Sequence, residues 1–108
     1  MTELKGSILR VFDVRAKPGR KEQLRAKLAD TSVAVVQGEP GNLGHFFGEC
    51  RSEDGNELVF ISVWKDLAAV RARFGEDWEQ SYLPPGYEEL IERCSIRHLE
   101  VDGRLFSS

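Results

Sequence analysis

The 108-residue sequence predicts an α+β fold of βαββαβ order, in which four antiparallel strands are backed by helices on one face. Three observations carry this prediction. Runs of β-branched and aromatic residues begin at Ile8 and Glu57 and recur towards the end of the chain. A long segment with apolar residues at helical spacing follows the first run, and the run from Glu57 is apolar on both sides. Hydrophobic residues make up 41% and charged residues 31%, the balance of a globular protein, and this length leaves too few residues for a second core. One domain over residues 1–108 is expected, with a core of about 7–102.

Each element has its own signal. Ile8 to Arg15 reads as strand one and ends at Lys17-Pro18-Gly19, where a fixed proline φ precedes a permissive glycine. From Arg20 to about Gln37, Leu24, Leu28, Val35 and Val36 recur at helical spacing. Gly38 and Pro40-Gly41 end that helix. Gly44 to Arg51 is strand two, Ser52 to Asn56 a polar turn, and Glu57 to Lys65 strand three, which together predict an antiparallel hairpin. Asp66 is placed to cap a second helix carrying Leu67, Val70, Arg71 and Phe74 on one face, with Gly75 as its stop. Beyond Pro84-Pro85-Gly86, the spacing of Tyr87, Leu90, Ile91 and Cys94 predicts a further short helix. Ser95 to Asp102 is the last strand, closed by Gly103. The order is that of the ferredoxin-like split βαβ unit.

A single sheet with helices on one face exposes its other face to water, where polar residues are expected. Strand three instead offers Val59, Ile61 and Val63 on one side and Leu58, Phe60 and Trp64 on the other, with Ser62 the one polar exception. Strand two likewise puts Phe46 on one face and Phe47 on the opposite one. A chain this short has no second layer to cover such a sheet, so a homodimer formed by a two-fold partner sheet is expected.

Charge and motifs narrow the function. Fifteen Lys and Arg against eighteen Asp and Glu give a net charge of -3, a field that attracts neither phosphate backbones nor anionic lipid, so no nucleic acid and no membrane partner is expected. The basic cluster Arg15, Lys17, Arg20 and Lys21 has no interleaved aromatics and reads as a solvated loop-to-helix junction. Met1 to Gly6 holds no apolar run long enough for a signal peptide or anchor, which predicts a cytoplasmic protein. Cys50 and Cys94 signal neither a disulfide framework nor a metal site and read as reduced packing residues. The sequence has no glycine-rich phosphate loop, nucleophile elbow or metal-spaced histidine pair.

At Phe60-Ile61-Ser62-Val63-Trp64-Lys65-Asp66, where a hydrophobic strand ends in Trp and runs into an Ala-rich helix, the chain resembles the antibiotic biosynthesis monooxygenase family. The apolar first strand, the Lys17-Pro18-Gly19 turn, helix one and Glu39-Pro40-Gly41-Asn42-Leu43-Gly44 follow in the family's order, so the resemblance covers nearly the whole chain. It implies a dimeric αβ barrel with a pocket in each subunit between sheet and helices. Some members oxidise polycyclic phenols or quinols without metal or flavin, some bind and degrade haem, and many have no assigned activity. The haem-degrading branch carries an Asn on strand one, a Trp nine residues after the strand-three Trp and a His about ten further on. The aligned residues here are Phe12, Arg73 and Leu83, none of which matches.

A cofactor-free oxygenase needs an apolar pocket for an electron-rich aromatic, a group that helps deprotonate its hydroxyl, and a dry site where the anion meets dioxygen. Trp64, Phe74, Trp78, Tyr82 and Tyr87 are the candidate pocket aromatics, although large aromatics also dominate ordinary cores. His45, between apolar neighbours in strand two, is the candidate acid-base residue; a histidine lining a dimer interface or hydrogen-bonded in the core would occupy the same position. His98 alternates with Glu100 and Asp102, which suggests a polar face. Arg71 and Arg73 on helix two could hold a phenolate or carboxylate, or simply form a solvated face. The leading expectation is a cofactor-independent monooxygenase-like protein acting on a small aromatic or quinol-type molecule, with no cofactor. A non-catalytic dimeric binding or stress-associated module, and a haem-binding protein, are the alternatives.

Overall fold

The computed structural model describes residues 6–102, so Gly103 and the first five residues lie outside it. Strand β1 (Ile8–Ala16) is an inner strand of a four-stranded antiparallel sheet of order β2-β3-β1-β4. Its alternate residues Ile8, Arg10, Phe12, Val14 and Ala16 are all buried, which fixes the phase of the sheet. The first helical segment follows as α1 (Lys21–Lys27), one wider π turn (Leu28–Ser32) and α2 (Val33–Val36). The expected single helix is therefore present as a continuous path with a bulge in it, and Leu24, Leu28, Ser32 and Val36 are its buried residues.

Strands β2 (Asn42–Glu49) and β3 (Glu57–Trp64) form the expected hairpin, with Phe47 opposite Phe60 and His45 opposite Ser62. Helix α3 (Leu67–Phe74) starts where Asp66 Oδ1 accepts a hydrogen bond from the Ala69 amide at 2.9 Å. It stops at Gly75, whose φ of 74° lies in the left-handed region.

The sequence reading fails between Tyr87 and Cys94. No helix forms there: β4 runs Ile91–Glu100, beginning before the expected Ser95, and Tyr87 and Leu90 lie in turns. The reason is tertiary. An inner strand needs a partner along both edges, and β1 pairs with β4 over its whole length, with Cys94 opposite Val14 and Ile91 opposite Ala16 across a bulge. Four residues at helical spacing also fit a buried turn followed by a strand, and the ladder decides.

This register builds rows across the sheet. On the helix-covered face, one row is His45, Ser62, Arg10 and His98, and the next is Phe47, Phe60, Phe12 and Ile96. The opposite face carries Phe46, Ile61 and Val11 in one row and Val63, Leu9 and Leu99 in another. Among the described residues nothing covers that second face: Phe46 is 56% and Leu99 55% exposed.

The connection into β2 is tight. Gly41 has a φ of 82°, accepts the Lys65 amide through its carbonyl at 2.8 Å, and would put an added Cβ only 2.5 Å from that of Ala69. Gly41→Ala is expected to lower stability in urea unfolding by about 2–4 kcal/mol, combining backbone strain with a shift of α3. Gly19→Ala, with a similar φ but open space around it, should cost only about 1 kcal/mol.

Candidate functional site

Between the sheet and the helices lies a cavity of about 40 Å³. Phe12, Phe60 and Ile96 form its floor, Val35, Val36 and Phe74 its helical wall, and Tyr82 and Pro84 close it from the segment between α3 and β4. Three polar residues reach it: Arg10, Ser32 and Ser62. That volume holds a few waters at most, so an aromatic ring enters only if a wall moves.

Arg10 is the unusual member. Its residue is 4% exposed and it sits on the inward phase of the inner strand. Among the described residues it takes part in no ion pair. Its guanidinium lies 3.7 Å from the centre of the Phe74 ring and donates to the Trp78 carbonyl, to the Gln80 carbonyl at 3.0 Å and to His98 Nε2 at 3.1 Å. Burial, with a smaller contribution from Arg73, lowers its pKa to about 10. A desolvated cation without an anion beside it is a costly arrangement in an apolar wall.

His98 follows from this neighbour. Burial first, then the Arg10 charge, lower its pKa, against an opposing pull from Glu79. The ring is therefore neutral at pH 7, and because guanidinium can only donate, Nε2 must be the accepting nitrogen. The two serines are also defined by hydrogen bookkeeping. Trp64 Nε1 donates to Ser62 Oγ at 2.8 Å, and among the described residues the Ser62 proton has no acceptor, so it can serve the cavity. Tyr87 donates its only proton to the Lys27 carbonyl at 3.0 Å, so the 2.6 Å contact with Ser32 is a donation from Ser32. Tyr87 thus ties down the π turn that aims Ser32 inward, and burial raises its pKa, which keeps the phenol protonated.

The structure gathers the sequence candidates unevenly. Phe74 and Tyr82 line the cavity, their rings 6.3 Å apart. Trp64 is fully buried behind it, edge-on to Phe74 at 5.8 Å and reaching the cavity only through Ser62. Trp78 borders it through its carbonyl on Arg10, while its ring meets His98 edge-on at 5.0 Å. Tyr87 stands behind Ser32, and Arg71 lies over the outer side of Trp78 at 5.3 Å. His45 stacks on Phe60 at 5.8 Å, in the same row as Arg10 but on the edge strand, and is not part of the lining.

Residues 7–81 match the protein family described as antibiotic biosynthesis monooxygenase. The chain belongs to this family. Among solved structures, this family member is similar to PA3566 from Pseudomonas aeruginosa, at 23% identity and a TM-score of 0.69 over 97% of this chain and 100% of that one. It is similar to SnoaB from Streptomyces nogalater, described as a cofactor-independent oxygenase, at 19% identity and a TM-score of 0.67 over 93% and 97% of the two chains. Rv0793 from Mycobacterium tuberculosis is a further likeness, at 21% identity and a TM-score of 0.64 over 86% and 92%. At these low identities it is the TM-scores that establish a shared fold, and the fold alone. No curated protein matches the chain.

Sequence reasoning passed over Arg10, although a signal was present: it is the one charged residue in the phase Ile8, Phe12, Val14, Ala16, where burial is expected. It also assigned His98 to a polar face, whereas the sheet puts its ring against Arg10 and Trp78. Among the described residues no cluster of three or more His, Cys, Asp or Glu could hold a metal ion, and no helix is long and apolar enough to cross a membrane.

His98 gives this family member a pH dependence whose sign is determined. Because folding lowers its pKa below the ordinary 6.5, the unfolded chain binds the proton more readily, and stability falls as pH drops through 6.5 towards the folded-state value. His98→Gln should flatten that part of the stability profile, as followed by thermal melts between about pH 5 and 7.

Proposed function

We propose that this protein is a cofactor-independent monooxygenase acting on a small phenol or quinol-type aromatic in the cleft between sheet and helices. The observation that carries this reading is a buried guanidinium with no carboxylate partner among the described residues, in a cavity lined mainly by apolar and aromatic side chains. Such a cation lowers the pKa of a phenolic hydroxyl beside it and stabilises the phenolate. The Phe74 and Tyr82 rings and the Val35–Val36 wall offer the flat apolar contacts an aromatic needs. Ser62 supplies a free donor, and neutral His98 positions the guanidinium through its 3.1 Å contact.

In the reaction, the electron-rich anion transfers electrons to dioxygen, one oxygen atom bonds to a ring carbon, and the other leaves as water with two hydrogens from the substrate. A phenol plus dioxygen thus becomes a quinone plus water. The substrate supplies all four electrons, so the balance requires no external reductant. The apolar walls keep bulk water from the reactive anion.

The same reading includes a homodimer formed through the uncovered sheet face, where Phe46, Ile61, Val11, Val63 and Leu99 make a continuous apolar surface. A partner sheet seated there would close two sheets into a barrel and leave each cleft on the outside. Phe46→Glu is expected to yield monomer in sedimentation velocity, while Glu22→Lys on the exposed side of α1 should leave the dimer intact.

A non-catalytic binding module is the second reading, favoured by the small cavity. Oxygen uptake separates the two. Purified, metal-free protein with a panel of phenols and quinols should consume dioxygen in proportion to enzyme and form quinone one to one. His98→Gln should cut kcat by roughly tenfold through loss of guanidinium positioning, and His45→Ala should turn over at the wild-type rate. Absence of enzyme-dependent uptake across the panel would favour the binding module.

A further inference from the structure

The segment 75–86 borders the cleft as a strap, and the residue proposed to hold the ligand also holds the strap. It leaves α3 at Gly75, φ 74°, and turns again at Gly86, φ 94°, two positions where the backbone takes conformations other residues resist. Between these glycines, Tyr82 and Pro84 form one wall of the cavity. In the part from Gly75 to Gln80, the carbonyls of Trp78 and Gln80 accept from the two terminal nitrogens of Arg10. The strap's own backbone bonds there are short-range turns, Trp78 to Gly75 at 3.2 Å and Gln80 to Asp77 at 2.9 Å. Its hydrogen bonds to the sheet in this part come from one side chain, beside the edge-on contact of the Trp78 ring with His98 at 5.0 Å.

Two facts make that anchorage exchangeable. Neutral carbonyls are weaker acceptors for guanidinium than an oxyanion, which pairs with its parallel N–H groups in a fork. The cavity, moreover, is too small for a ring while Tyr82 and Pro84 stay in place. Resting on the reading of the cleft as an aromatic site, we propose that Arg10 is an anion-operated latch: a planar oxyanion on an aromatic ligand, carboxylate or phenolate, takes the guanidinium from the Trp78 and Gln80 carbonyls and releases the strap. The ligand class is then defined by charge as well as shape. Neutral aromatics of equal size that carry no acidic hydroxyl or carboxyl leave the latch closed, because they offer Arg10 nothing better than the carbonyls it already has, whereas a phenol engages it as it gives up its proton. Gly75 and Gly86 are the hinges about which the strap turns, and His98 keeps its hold on the guanidinium while the other partners change.

Hydrogen exchange at the Trp78 and Gln80 amides, which donate to the Gly75 and Asp77 carbonyls, reads how firmly the latch holds those two turns in place. In the unliganded protein, Arg10→Met should speed exchange at both by roughly tenfold, the loss expected for charge-assisted hydrogen bonds. Arg10→Lys, which keeps the charge without the fork, should give an intermediate rate. Amides within the β1–β3 ladder should keep wild-type protection in both variants, which distinguishes release of the strap from general unfolding. Naphthoate and p-nitrophenolate at millimolar concentration should produce the same local acceleration in wild-type protein and none in Arg10→Met, whereas naphthamide and p-nitroanisole should produce none in either. If only one of the two anions acts, the latch stands and the acidic group is identified. Unchanged exchange in Arg10→Met, equal effects of acids and neutral counterparts, or no effect of either anion would overturn the proposal. Oxygen uptake without anion preference would remove the latch and leave the oxygenase. Strap release by anions without oxygen uptake from any phenol or quinol would do the reverse.

Discussion

A positive charge buried in the middle of a sheet constrains everything near it. Arg10 occupies the inward phase of an inner strand, and its neighbours are arranged to satisfy its donors: two strap carbonyls, a neutral histidine and an aromatic face. Take away that charge and the strap between α3 and β4 loses its main polar tie to the sheet. The histidine loses one of the causes of its lowered pKa, and the cavity becomes another apolar gap. Guanidinium suits the role because it stays charged at any physiological pH, stacks on Phe74 and still presents parallel donors at its edge.

The rest of the site supports that arrangement from behind. Trp64, fully buried at the end of β3, orients Ser62, and Tyr87 orients Ser32 while pinning the π turn. Neither large aromatic lines the cavity, yet each holds a small hydroxyl that does. A π turn adds one residue to a helical circuit, and here it rotates Ser32 inward without breaking the helix.

The two faces of the sheet divide the work. One is packed against helices and contains the cleft. The other is a broad apolar surface from Leu43 and Phe46 across to Leu99 that the described residues leave uncovered. Because residues alternate strictly along a strand, the two surfaces are specified by interleaved halves of the same short segments, and a change on one face leaves the phase of the other untouched.

Most of the architecture was legible from local signals. Proline and glycine positions, the Asp66 cap, the β-branched runs and the two-sided apolarity of β3 are properties of short stretches, and they led to element order, the hairpin and the uncovered face. Five aromatics from Trp64 to Tyr87 were legible as pocket candidates by their clustering, but which of them border the cavity, Phe74 and Tyr82, was not, because that depends on how the segment after Gly75 folds back over the sheet. The region from Tyr87 to Cys94 was not legible, since its spacing fits a helix or a turn and strand equally well. Only the demand of β1 for hydrogen-bond partners along its second edge decides between them. Arg10, His98 and Ser62 come from three separate strands, and their meeting is a matter of register, which sets long-range pairs that no local spacing encodes. The sequence by itself determined which residues could form strands, helices and an apolar double-faced sheet, because those preferences are local. Tertiary structure alone decided that a buried cation, a neutral histidine and a free hydroxyl share one row beneath the helices, because that row exists only once three strands are aligned.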